Sequence, residues 1–186
     1  MNHTVALSAS TDKTSTRASL SFRDQSGTTP NTDQKRYAMA VNTKMTFNKY
    51  IDFDLSANYI RTKSANLPGT GYNSTNALQS IMQWFGRQVD LKDLKNNWDQ
   101  VDEYGKYTHY NWIQSFHANP YWTLNKNTNS YDRNRFYGKT SLYIKPTDWL
   151  SLKVVWAWII TILISSLVFY GISTIRMDIS VASTVR

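Results

Sequence analysis

The 186 residues contain no cysteine. A disulfide framework, a thiolate metal site and a cysteine nucleophile are therefore excluded. Histidine is almost as scarce, and His109 and His117, eight apart with no third ligand in view, do not make a metal site. Nothing has the form of a Ser-His-Asp set, a phosphate-cradling loop or a glycine-rich dinucleotide turn, so no enzyme and no cofactor is expected. Acidic residues are outnumbered, 13 against 21 Lys and Arg, for a net charge of +8. The cations are spread singly, as in "DLKDLKNN" and "YDRNRFYGK", instead of being gathered in a run. That pattern reads as solvated loops and strand ends, and no nucleic-acid partner is expected. The opening "MNHTVALSAST" has neither a basic region nor an apolar core, so it is not a secretory signal.

What is abundant is aromatic and polar-uncharged: 12 Tyr, 7 Trp and many Ser, Thr and Asn. Much of the chain alternates with period two, the signature of half-buried strands. "TRASLSFRD" puts Thr16, Ala18, Leu20 and Phe22 on one face, and "RYAMAVNTKMTF" does the same with Tyr37, Met39, Val41, Thr43, Met45 and Phe47. "IDFDLSANYIRT" aligns Ile51, Phe53, Leu55, Ala57 and Tyr59, and "NRFYGKTSLYIK" aligns Phe136, Gly138, Thr140, Leu142 and Ile144. "HTVALSAS" and "WLSLKVV" complete six strands. Asp52 and Asp54 stand on the polar side, as expected of strands lining a wet lumen.

The connections alternate too. Short links at Thr11-Asp12-Lys13, Asn48-Lys49-Tyr50 and Pro146-Thr147-Asp148 are separated by "RDQSGTTPNTDQK" and by a long insertion over 62–132. Short turns at one end and long loops at the other are the organisation of an outer-membrane barrel, with Tyr37, Phe47, Tyr59 and Trp149 as interfacial aromatics. A soluble sandwich explains the strands but not this rhythm. Within the insertion, "NSTNALQSIMQWFGRQ" predicts a helix capped by Asn73 or Ser74, with Leu78, Ile81, Met82 and Phe85 at helical spacing.

"HTVALSASTDKTSTRASLSFRDQSG" followed by "KRYAMAVNTKMTFNKYIDFDLSANYIRTKS" resembles the mid-barrel region of SusC/RagA-type TonB-linked outer-membrane transporters. "NPYW", an Asn-rich spacer, "DRNRFYG" and a strand ending at "TDWLSL" occur in the same order in that family, and the resemblance covers residues 2–154. It implies a section of a barrel of the 22-strand plugged kind, placed in the outer membrane. Such a barrel imports oligosaccharides or peptides, is capped by a SusD-like surface lipoprotein and is energised by the TonB system. Without plug, TonB-box segment or export signal, and with too few strands to close a barrel, the chain is expected to be a fragment, inactive alone.

From Val154 to Ile175 the alternation gives way to an uncharged apolar run, long enough as a helix to cross a bilayer at about 33 Å. Such a helix is foreign to a barrel. The expected organisation is therefore mainly β: residues 1–154 as an antiparallel membrane β-barrel fragment of six strands, whose long loop contains a short helix, and residues 155–186 as a C-terminal hydrophobic helix with a short tail. The tail faintly resembles the segment after the membrane anchor of HlyD-type secretion adaptors, and a gene rearrangement or assembly join near Val154 would account for the change. A soluble β-rich carbohydrate-binding or adhesion module, tethered by that single helix, is the alternative.

For substrate contact the candidates are Trp84, Trp98, Tyr104, Tyr107, Tyr110, Trp112, Tyr121 and Trp122, set among Asn and Asp. Flat apolar faces beside directional polar groups suit a sugar ring or a peptide. The same aromatics would also serve to fold the loop on itself or to contact the lipoprotein cap.

Overall fold

The computed structural model describes residues 1–67, 69–72, 76–108, 110–112, 117–147, 149–167 and 176–185, the side chains only as far as Ser165. Six strands form an antiparallel meander: β1 (Asn2–Ser10), β2 (Thr14–Ser26), β3 (Asp33–Asn48), β4 (Ile51–Ser64), β5 (Asn129–Thr147) and β6 (Leu150–Leu167). A seventh, β7 (Arg176–Val185), pairs with β6, so spatial order follows chain order throughout.

The expected strand faces coincide across the whole sheet. Val5 stands opposite Leu20, Leu20 opposite Met39, Met39 opposite Tyr59, and Tyr59 opposite Phe136. Phe136 in turn faces Ile160. Each strand's apolar set therefore falls in one continuous surface, since a slip of one residue would send a whole set to the other side. That surface is uncovered: Leu7 is 74% exposed, and Leu20, Met39, Leu152, Trp156 and Ile160 are exposed with it. On β1 to β5 the other face is largely polar, with Arg17, Asn42, Ser56 and Lys139 adjacent in one row, whereas β6 adds Val155, Ala157 and Ile159 to it. Among the described residues the buried apolar side chains are Ala77, Leu94, Pro120, Trp122 and Leu124, all in the insertion. The sheet itself has no core of its own.

Aromatic side chains bound the apolar surface. Phe22 and Tyr37 meet at 5.0 Å on the loop side, and Phe136 stacks on Trp158 at 4.4 Å nearer the middle of the band. Phe47, Tyr50 and Trp149 are exposed on the turn side. From Tyr37 to Phe47 the chain climbs about 33 Å, which a 45° tilt would reduce to about 23 Å, close to the height of a barrel's apolar band.

Two corrections follow. The C-terminal apolar run does not form a helix where it is described: residues 155–167 belong to β6 and pair with β5 from Ser141↔Val155 to Asn129↔Leu167. Among the described residues no helix is long and apolar enough to cross a membrane. β5 satisfies the backbone of this segment on one side, and its β-branched Ile, Val and Thr suit a pleated surface. Residues 168–175 lie outside the described residues. The second correction concerns length. Strands β2 to β6 run to 13–19 residues, longer than the alternating segments quoted from the sequence, which shortens the β2–β3 loop to 27–32 and the insertion to 65–128.

The turns are built locally. Thr11 Oγ1 accepts the Thr14 N–H at 3.1 Å, and Asn48 Oδ1 accepts the Tyr50 N–H at 2.8 Å. The sequence-expected turn residue Asp148 lies outside the described residues. Gly138 faces Trp158 across β5 and β6, and the indole lies over it. A Cβ there would stand 2.2 Å from the Ser56 carbonyl oxygen and 2.6 Å from the Trp158 ring. Gly138→Ala is therefore expected to destabilise the sheet by about 1–3 kcal/mol, measured as a lower urea midpoint in detergent.

Candidate functional site

The insertion folds as three short helices above the loop end of the sheet: α1 (Ala77–Trp84), α2 (Leu91–Asn96) and α3 (Pro120–Lys126). The predicted helix is α1, but its cap is Asn76, whose side chain accepts the Gln79 N–H at 3.2 Å. Asn73 and Ser74 lie outside the described residues. Its buried residues are Ala77 and Ser80, whereas Leu78 is exposed and Met82 is 83% exposed. The expected apolar stripe is thus packed only in part: Ile81 and Phe85 are half-buried, while Leu78 and Met82 face outward.

"NPYW" has a physical reason. Asn119, 1% exposed, caps α3 by accepting the Tyr121 N–H at 2.9 Å, and Pro120 occupies the first turn, where no N–H is needed. Its amide nitrogen donates to the carbonyls of Leu94 at 2.9 Å and Tyr110 at 3.0 Å, joining α2 and the following loop to α3. Asn66 does the same at the root. It donates to the carbonyls of Asn31 (3.0 Å) and Leu124 (2.8 Å) and accepts the Asn129 N–H at 3.0 Å. Asn31, at φ 55, adds a bond to the Leu124 carbonyl at 2.9 Å. Buried amides with this many partners are stabilising only because each donor and acceptor is matched.

Three of the eight candidate aromatics come together. Trp84, Tyr110 and Trp112 line a cleft of about 250 Å³ with Gln88, Asp90 and Asp93. His117 joins them: its ring lies 5.3 Å from Trp84 and is stacked 5.8 Å from Trp112 at 7° between planes. Phe85 meets Trp112 edge-on at 4.1 Å. The Tyr110 hydroxyl donates to Asp93, which holds the phenol above its ordinary pKa. Asp93 also accepts from Asn97 at 2.7 Å, and Asp90 caps α2. The buried Trp112 Nε1 and His117 Nδ1 have no hydrogen-bond partner among the described residues. The arrangement offers stacked flat faces with amide and carboxyl groups at the edge, which suits a ring or a peptide plane.

The other candidates lie elsewhere. Trp98 and Tyr107 flank the Lys126 ammonium at 5.8 and 4.8 Å. Tyr104 is 86% exposed on the turn that Asp102 organises by accepting the N–H groups of Tyr104 and Lys106. Tyr121 is half-buried on α3, and Trp122, 5% exposed, belongs to the core of the insertion. His109 lies outside the described residues, and among them no group of side chains is placed to hold a metal. Sequence reasoning did not find His117 or Phe85 in this cluster, nor the two buried asparagines. The order Asn-Pro, a cap followed by a first-turn proline, was the available signal for Asn119.

No protein-family model and no curated protein matches the chain. Solved structures do. A chain of the RagAB peptide importer in its closed-closed state matches with TM-score 0.62 at 17% identity, over 89% of this chain and 18% of that one. The open-open state gives 0.64 at 18% identity, and the RagAB peptide transporter 0.62 at 16%, each with the same coverage. At these identities the likeness is one of fold, and the chain spans 18% of the length of the proteins it matches: it is built like one section of the RagAB importer chain.

Proposed function

We propose that this chain is a section of wall from a TonB-linked outer-membrane transporter of the SusC/RagA type, which takes up oligosaccharides or peptides. One observation carries the reading. Strands β1 to β6, in one register, expose a continuous apolar face with nothing over it, while the opposite face of β1 to β5 is largely polar. In water that face would be a very large uncovered apolar surface; against lipid it is the expected exterior of a barrel. The likeness to the RagAB peptide importer supports it at the level of fold.

In this reading residues 1–154 form barrel wall with the long extracellular loop expected at 62–132, and 155–167 continue the wall within β6. The cleft at Trp84, Tyr110 and Trp112 is the substrate-contacting part of the loop. The exposed Leu78 and Met82 of α1 suit contact with a SusD-like surface lipoprotein. An open sheet of this size leaves edge groups unpaired in lipid, so the section does not transport alone and works as part of a closed barrel energised by TonB. The tethered soluble module loses its support, since it needs a membrane-crossing helix and 155–167 is strand.

The full chain, diluted from urea, is expected to acquire a β-type circular dichroism spectrum and heat-modifiable gel migration only when detergent is present. A monomeric, cooperatively folded chain in plain buffer would refute the reading.

A further inference from the structure

The cations that are scattered along the chain are not scattered on the sheet. In the half nearest the long loops, Arg23 of β2 stands directly opposite Arg36 of β3, Arg36 opposite Thr62 of β4, and Thr62 opposite Arg133 of β5. Arg135 follows two residues along on the same face. All four project from the polar face, the one opposite Tyr37, Tyr59 and Phe136. On β1 to β6 the polar-face positions of this half hold Ser, Thr, Asn, Gln, Tyr, Ala, Ile and Leu besides the arginines and no carboxylate; Asp178 of β7, opposite Ser165, is the carboxylate that register places on that face, beyond β6 from the row.

In this half the carboxylates of β2 to β5 are on the other side, and Asp52 and Asp54, which do share the polar face, lie at the turn end of β4. Asp24, Asp33 and Asp132 share the face of the apolar set, and Asp132 is held there by Arg61 at 2.7 Å. Among the described residues, no ion pair involves Arg23, Arg36, Arg133 or Arg135. Instead the guanidinium groups of Arg133 and Arg135 each lie 5.6 Å from the ring centre of a neighbouring tyrosine, Tyr131 and Tyr137. Like charges directly opposed across a strand pair are destabilising, so Arg23 beside Arg36 is a cost that the sheet bears without an internal counter-ion.

We infer that this arginine row is a docking surface for an acidic peptide on the lumenal wall, beneath the extracellular loops. The inference rests on the barrel reading and narrows its substrate. Across β2 to β5 the row spans about 14 Å at the usual strand spacing, the length of four or five residues of extended peptide. Arginine presents a planar fork that takes a carboxylate through two parallel hydrogen bonds, which lysine does not. The low dielectric of a walled lumen strengthens those contacts and concentrates anions at it.

The test uses the full chain in detergent micelles and fluorescence anisotropy of labelled hexaglutamate, with hexaglutamine, hexalysine and trigalacturonate as comparators. Hexaglutamate is expected to bind at least tenfold more tightly than any of these. Each arginine removed by Arg23→Gln or Arg36→Gln is expected to weaken it about tenfold, while Lys63→Gln on the outer face leaves it unchanged. Equal binding of hexaglutamine, or an unaltered affinity in the double variant, would overturn the inference. So would tighter binding of trigalacturonate, which would make the occupant an acidic saccharide. In those three cases the chain still folds in detergent, and the barrel reading stands. Failure to take up detergent would instead sink that reading and this inference together.

Discussion

With the sheet as the proposed barrel wall, replacing Val41 by arginine is expected to destabilise it in lipid by roughly 2–4 kcal/mol, the cost of arginine near the bilayer midplane of a barrel exterior. Val41 lies near the middle of the band between Tyr37 and Phe47 and is exposed on the apolar face, opposite Ala18 and Ala57. Its neighbour Ala40 faces the other way, opposite Ser19 and Asn58. Ala40→Arg therefore adds a charge to an already polar surface and should stay within about 0.5 kcal/mol of the unaltered chain. Urea titration of both variants in lipid vesicles, followed by tryptophan emission, separates the two sides of the sheet. Equal effects at 40 and 41 would mean that the apolar face does not meet lipid.

Asn119→Ala should have an effect of similar size but confined to the insertion. It removes one acceptor and two donor contacts from a site that is 1% exposed, and leaves the carbonyls of Leu94 and Tyr110 without those donors. Each buried group left unsatisfied costs about 1–3 kcal/mol, and since they share one site a total near 3 kcal/mol is expected. Hydrogen exchange should accelerate in α2 and α3 while the strands keep their protection. Asn119→Asp keeps the α3 cap but loses both donors, and should fall between the two. Uniform loss of protection throughout the sheet would show that the insertion is not a separate cooperative unit.

These two residues also mark what was legible. Val41 announces its side of the sheet through its neighbours in sequence, because alternation is a local property of a pleated strand. Asn119 does not announce its burial, since its partners Leu94 and Tyr110 belong to other parts of the insertion and only the fold brings them near. Asn66 and Leu124, 58 residues apart, repeat the case at the root of the insertion. α2 and α3, six and seven residues long, are too short for a helical period to show. Of the aromatic candidates, composition pointed to the region, but which of them share a cleft depended on how three helices pack.

The apolar run after Val154 shows the same division more sharply. With apolar side chains at both odd and even positions, periodicity cannot separate a strand from a helix. The 17 residue pairs that β6 makes with β5 decide it, by satisfying its backbone along its length. The cations went the same way. Spaced singly in the sequence, Arg23, Arg36 and Arg133 look like solvated charges, and strand register alone sets them side by side.

By itself, then, the order of residues determined which side of each strand is apolar, the rhythm of short and long connections, and the absence of thiol chemistry. Those are properties of near neighbours. Tertiary structure decided that the C-terminal run is a strand over 155–167, that two asparagines hold the insertion together, and that arginines share one face of the sheet. The reason is common to all three: hydrogen bonds and charges act between groups that lie dozens of residues apart, and only pairing across strands and helices brings those groups within reach.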